Sequence, residues 1–303
     1  MYAIRTQDLT YRFDDKHGVA DLHLAVPAGG VYGFLGPNGA GKTTTIRLLL
    51  GLLKPQAGRI SLFGQERTNN DVASLAQIGA LVEAPSIYPH LSGRKNLEVT
   101  RRLLGASGRR VDAALDRVGL LGDAGRPAGA YSLGMRQRLG LALALLDEPN
   151  LLILDEPGNG LDPAGTLQMR ALIRSLAEDS GITVFLSSHL LGEVEQVATH
   201  IGVLHGGLLR YQGPLEELRE RLRGHLRMDS ADYAALLVHL HALGECGQPD
   251  GEGCVVVAEP RLGDAELLRL LAARGAPLHS FHRERPTLES LFFDLTEPRE
   301  TER

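Results

Sequence analysis

A chain of 303 residues with 43% apolar and 23% charged side chains has the balance of a globular protein, long enough for one large domain or two modest ones, which excludes a disordered or fibrous chain. A formal net charge of -5, no tryptophan and only 5% aromatic residues supply neither the basic field nor the stacking surfaces with which proteins grip nucleic acid, so no nucleic-acid partner is expected. The apolar stretches at 48–53 and 139–146 fall well short of the roughly 18 residues that a membrane helix needs, so contact with a membrane is expected only through a partner.

The first residues, Met1-Tyr2-Ala3-Ile4-Arg5, lack the charged region and apolar core of a signal peptide, and the expected location is the cytoplasm. Residues 2–6 and 22–26 read as short strands, and the turn Pro27-Ala28-Gly29-Gly30 leads into the apolar run Val31-Tyr32-Gly33-Phe34-Leu35. A glycine-rich loop follows, then a helical pattern over 45–53. Strands are predicted at 58–64 and 78–82, the second ending at Glu83. From 91 to 146 the pattern turns helical, with segments at 96–104, 111–118 and 136–146, as a helical insertion within an α/β unit would. Strands resume at 151–154 and 183–187 around a helix at 166–177, and this alternation predicts parallel pairing. A hairpin at 201–204 and 208–212 turns through Gly206-Gly207.

The Arg- and Glu-rich helix at 216–223 reads as a boundary. Beyond it come a strand at 226–228, a helix at 231–243, a strand at 254–258, a helix at 264–274, a strand at 278–282 and a last helix at 288–295 whose Leu288, Leu291, Phe292 and Leu295 form an apolar stripe. That order suits a small α+β appendage of the split βαβ kind, followed by a solvated tail. The two cysteines, Cys246 and Cys254, read as small buried thiols on facing strands, because two cysteines make no zinc set.

The loop Gly36-Pro37-Asn38-Gly39-Ala40-Gly41-Lys42-Thr43-Thr44 is a phosphate cradle. Its glycines let several backbone N–H groups point at one centre, and the helix behind adds its positive dipole end. Lys42 supplies a point charge for β and γ phosphates, and the Thr43 hydroxyl is placed to ligate Mg²⁺. The second motif, Leu151-Leu152-Ile153-Leu154-Asp155-Glu156-Pro157, sets two carboxylates at the end of a buried strand: Asp155 for the Mg²⁺ side and Glu156 to polarise an attacking water. Asp147-Glu148-Pro149 repeats the tripeptide after an amphipathic helix and reads as a solvated helix terminus. A third strand ends in Ser187-Ser188-His189, where the histidine can hydrogen-bond a γ-phosphate.

In this order the motifs resemble those of the ATP-binding subunits of ATP-binding cassette (ABC) transporters, over about residues 2–215. The family signature corresponds to Tyr131-Ser132-Leu133-Gly134-Met135-Arg136-Gln137-Arg138, with Leu133 and Met135 in place of a glycine and a glutamine; the loop after the second motif is Gly160-Leu161-Asp162-Pro163, and His189 matches the switch histidine. The resemblance implies an α/β P-loop NTPase fold of the ABC type, a mixed sheet plus a helical subdomain at about 85–145, with an ATPase domain over 1–218 and a C-terminal α+β extension over 219–303. It implies ATP and Mg²⁺ as ligands, Phe13 stacked on adenine, and a second ATPase subunit whose nucleotide meets Ser132 and Gly134. It also implies a separate integral membrane permease, which would hold the protein peripherally on the cytoplasmic face of the membrane.

Glu83 stands where most of the family has glutamine, which adds a carboxylate near the metal side. The segment Val82-Glu83-Ala84-Pro85 with this signature is similar to ATPases of bacitracin resistance and lantibiotic self-protection, and Arg283-Glu284-Arg285-Pro286-Thr287-Leu288-Glu289 to the tail of drug exporters. The function implied is ATP-driven export of an antimicrobial peptide, drug or lipid-like compound. A non-transport ABC ATPase acting on a macromolecular partner is the alternative, and the single cassette without a coiled-coil insertion argues against it.

Overall fold

The computed structural model describes residues 1–14, 17–68, 72–221, 224–250, 253–258 and 260–284. In β1 (Tyr2–Arg12) Ala3, Ile4, Thr6 and Leu9 turn inward, and the strand pairs antiparallel with β2 (Gly18–Leu22) and β3 (Ala25–Pro27). The strand expected at 2–6 is thus longer, because shifts of register along it keep the ladder going to Arg12. The strand expected at 22–26 is two strands. Buried Thr6 donates its hydroxyl to the Leu22 carbonyl at 2.6 Å and accepts the Leu24 N–H at 2.8 Å, so a side chain takes over where the ladder breaks.

β4 (Gly30–Leu35) is apolar on both faces and buried almost throughout, as a central parallel strand must be. It feeds the glycine-rich loop and α1 (Lys42–Leu49), which starts three residues earlier than its apolar pattern and stops at Gly51, whose φ of +75° ends the turn. β5 (Ala57–Leu62) returns to pair with β1 and then with β6 (Gln65–Glu66). After α2 (Val72–Leu75) and β7 (Ile78–Leu81) come α3 (Gly93–Leu104), α4 (Arg109–Arg117) and α5 (Leu133–Leu145), the helical insertion. β8 (Leu151–Asp155), α6 (Pro163–Glu178), β9 (Thr183–Ser188), α7 (Leu191–Val194), β10 (His200–His205) and β11 (Leu208–Pro214) complete the unit. The six-stranded sheet runs β11-β10-β4-β9-β8-β7, parallel except for β11.

The chain divides at Leu215 into two compact units. The second opens with α8 (Leu215–Arg221) and holds β12 (His225–Asp229), α9 (Tyr233–Ala242), β13 (Gly247–Asp250), β14 (Cys254–Val257), α10 (Asp264–Ala273) and β15 (Ser280–Glu284). Its antiparallel order β13-β14-β12-β15 is that of a split βαβ unit, and Leu226, Met228, Val255 and Val257 pack against Leu236, Leu240, Leu267 and Leu271 of the two helices. β13 has no strand-forming composition; Gly247, Gln248, Pro249 and Asp250 are carried as an edge by their ladder to β14. The cysteine expectation is corrected in half: Cys254 is buried, whereas Cys246, just ahead of β13, is exposed. The Cys254 thiol donates to Asp229 Oδ1 at 2.8 Å, and that bond together with burial raises its pKa above the usual thiol value. The expected helix at 288–295 and the solvated tail lie outside the described residues. Among the described residues no helix is long and apolar enough to cross a membrane.

Candidate functional site

Three parallel strands, β4, β9 and β8, end side by side, with Leu35 level with Ser188 and Asp155 level with Ser187. Everything after their last residues therefore converges at one edge, the carboxyl edge of a parallel sheet, where α/β proteins place their chemistry. The loop after β4 needs its glycines. A Cβ at Gly36 would lie 2.4 Å from the Leu204 carbonyl oxygen, and Gly41 combines a φ of +108° with Val19 and Gly18 within 2.8 Å of the space a Cβ would take. The crest formed by Pro37, Asn38 and Gly39 is exposed, while Ala40 is buried beneath it; Thr44 is half-buried at the start of α1.

Lys42 is only 6% exposed. Its Nζ donates to the carbonyls of Gly36 at 2.7 Å and Pro37 at 3.3 Å and lies 3.2 Å from Glu156 Oε1, so the buried ammonium is paired. Glu156 Oε2 lies 2.5 Å from His189 Nδ1. The carboxylate is thus bracketed by Lys42 and His189, from the ends of two different strands. Asp155, 5% exposed, takes the Thr43 hydroxyl on Oδ2 at 2.9 Å and the Ser187 hydroxyl on Oδ1 at 2.5 Å. Thr43 Oγ1 and Asp155 Oδ2 are adjacent hard oxygens at the phosphate loop, a donor set that fits Mg²⁺.

The structure joins Lys42, Thr43, Asp155, Glu156 and His189 in one connected set. Glu83 is elsewhere: it stands at φ +60° after β7, its side chain 60% exposed, and pairs with Arg47 of α1 rather than with Thr43 or Asp155. Phe13 is 56% exposed, its ring 4.9 Å from that of Tyr11 in a T-shaped pair. Ser132 caps α5 by accepting the Met135 N–H at 3.2 Å, and it faces solvent together with Leu133. Gly134 lies against Leu161 of the loop after β8, with 3.7 Å from its Cβ position to the leucine. Among the described residues no hydrogen bond or ion pair links Glu83, Ser132 or Gly134 to the connected set. Sequence reasoning missed the partners Ser187 and Arg47; a serine closing an otherwise apolar strand was the available signal for the first, and nothing local marks the second.

The repeated tripeptide behaves as a helix terminus. Arg110 of α4 pairs with Asp147 and, at 3.0 Å, with Glu148, both partly exposed.

Comparison with known proteins gives the family. The family model described as ABC transporter matches residues 19–159. The chain is 40% identical over 295 residues to the bacitracin transport ATP-binding protein BcrA of Bacillus licheniformis, covering 96% of each chain. It is 39% identical over 221 residues to the lantibiotic transport ATP-binding protein SrtF of Streptococcus pyogenes, covering 71% of this chain and 95% of that one. Among solved structures it is similar to cbiO1 of Clostridium perfringens, part of the ABC transporter complex cbiONQ, with a TM-score of 0.66, 25% identity, and coverage of 80% of this chain and 97% of the other.

Proposed function

Because the chain belongs to the family of ABC transporter ATP-binding proteins, we propose that its ATP hydrolysis drives a separate integral membrane permease exporting an antimicrobial peptide, drug or lipid-like compound. Relatives named for transport of bacitracin and of a lantibiotic support a peptide antibiotic as the cargo. The observation that carries the enzymatic reading is Glu156, a carboxylate at the end of a buried strand held between an ammonium and an imidazole.

In this reading the backbone N–H groups of the loop from Gly36 to Thr44, with Lys42, bind the phosphates, and the exposed Phe13 stacks on adenine. Thr43 and Asp155 would hold Mg²⁺, which when bound offsets phosphate charge. Glu156 takes the proton of the attacking water on a carboxylate oxygen, while His189 orients that carboxylate and meets the γ-phosphate. Lys42 cannot serve Glu156 and a triphosphate equally, so nucleotide binding frees Glu156 for water. Glu83 acts as a neighbour of the metal site through Arg47 and α1. Exposed Ser132 and half-buried Gly134 meet the nucleotide of a second copy of the chain, with the N-terminus of α5 toward its γ-phosphate. The domain reading keeps 1–218 as the ATPase domain, with 85–145 passing the closing motion to the permease on the cytoplasmic face of the membrane, and 219–303 as an extension.

The test is the assembled state. With Mg-ATP, Glu156→Gln should run as a dimer in size-exclusion chromatography and hydrolyse almost nothing, and adding Ser132→Arg should return it to monomer. A dimer indifferent to Ser132→Arg overturns the role of the signature. In the complex with the permease, candidate cargo compounds should stimulate ATP turnover, and a complex blind to every peptide antibiotic, drug and lipid offered overturns export of that class.

A further inference from the structure

We propose that Ser187 is a positioning residue for both carboxylates of the site, one hydroxyl orienting the Asp155 side chain and the Glu156 backbone together. The proposal rests on the roles given above to Asp155 and Glu156.

Ser187 is 0% exposed at the end of β9, among Val184, Phe185 and Leu186, which are themselves buried. A hydroxyl in such a place is costly unless both its proton and its lone pairs are used. A carbonyl of its own strand would satisfy the proton. Instead the proton goes to Asp155 Oδ1 at 2.5 Å, and Ser187 Oγ itself accepts the Glu156 N–H at 3.0 Å. The Glu156 N–H also reaches the Ser187 carbonyl at 3.2 Å. These bonds fix the Glu156 backbone at a left-handed φ of +50°.

The two oxygens of Asp155 are held from opposite sides. Thr43 grips Oδ2 from the nucleotide side and Ser187 grips Oδ1 from the buried side. When Thr43 turns to a metal, Ser187 still fixes the plane of the carboxylate and keeps Oδ2 presented. The neighbouring Ser188 acts on the backbone instead, where its hydroxyl accepts the Leu190 N–H at 3.0 Å and shapes the turn that carries His189.

The experiment uses the full chain with Ser187→Ala and Ser187→Thr, the latter restoring a hydroxyl. Ser187→Ala should lower kcat about 10- to 100-fold, the effect typical of removing a residue behind a metal ligand, with KM for ATP nearly unchanged. In a Glu156→Gln background, which holds nucleotide without turnover, Ser187→Ala should raise the magnesium needed for half-maximal binding of a fluorescent ATP analogue by at least about fivefold. Ser187→Thr should recover most of both losses. If thermal melting shows that the added methyl does not fit, the magnesium titration of Ser187→Ala decides alone.

Wild-type kcat and magnesium dependence in Ser187→Ala overturn the proposal, as does a loss confined to melting temperature. Glu156→Gln on its own separates the underlying reading: if it turns over normally, Glu156 is not the base, whereas an inactive Glu156→Gln beside a fully active Ser187→Ala rejects Ser187 alone.

Discussion

The tripeptide Asp-Glu-Pro occurs at 147–149 and again at 155–157, and the glutamate of each copy is left-handed: Glu148 has φ +52° and Glu156 φ +50°. Their surroundings could hardly differ more. The first copy follows the end of α5, with Asp147 and Glu148 side chains 38% and 59% exposed and both paired to Arg110. The second ends β8, a strand buried between β7 and β9, so that Asp155 meets Thr43 and Ser187 while Glu156 meets Lys42 and His189. Local sequence sets the local turn in both places. The element that delivers the turn decides whether its carboxylates face water or a phosphate loop.

Exchanging equivalent residues tests that contrast. Glu156→Gln should cut phosphate release by about 10³-fold or more, since it removes the proposed base, whereas Glu148→Gln should stay within a factor of about two. Equal effects in the two variants would break the comparison. Asp155→Asn should raise the magnesium requirement for turnover by about 10- to 100-fold, and Asp147→Asn should leave it alone. Glu83 is an intermediate case: it too has a positive φ, +60°, and ends a strand beside the nucleotide helix, yet it is 60% exposed and tied to Arg47. Glu83→Gln should therefore keep turnover within about threefold of the original; a loss of about 10³-fold would move Glu83 into the chemistry itself. The smallest effect belongs to Arg110→Ala. Its partners are partly exposed, so the loss should be about 0.5 kcal/mol, read as a small drop in melting temperature with kcat unchanged.

How far the sequence was legible follows from the same contrast. The apolar runs of β4, β8 and β9 and the glycines between β4 and α1 are local signals, and they place Lys42, Thr43, Asp155, Glu156 and His189 at strand ends before any fold is known. The strands and helices of the second unit were legible as well, except for the strand at 247–250. Where reading failed, a distant partner had overruled local preference. Gly247-Gln248-Pro249-Asp250 becomes a strand because β14 offers it a ladder, and the strand over 22–26 breaks because Thr6, far back in the chain, supplies the hydrogen bonds instead. Cys246 carries the same sequence signal as Cys254, yet it is exposed just ahead of the edge strand β13 while Cys254 is buried in β14.

The sequence by itself determined which segments are buried strands, where a phosphate can be cradled and which carboxylates end a strand, because periodicity, glycine freedom and strand termini are properties of neighbouring residues. Only the tertiary structure decided the partners: Thr43 on Asp155 across 112 positions, Ser187 on Asp155 across 32, His189 on Glu156 across 33, and Arg47 on Glu83 across 36. Those contacts depend on the register in which parallel strands align and on how α1 packs beside them, and neither is written in any one stretch of chain.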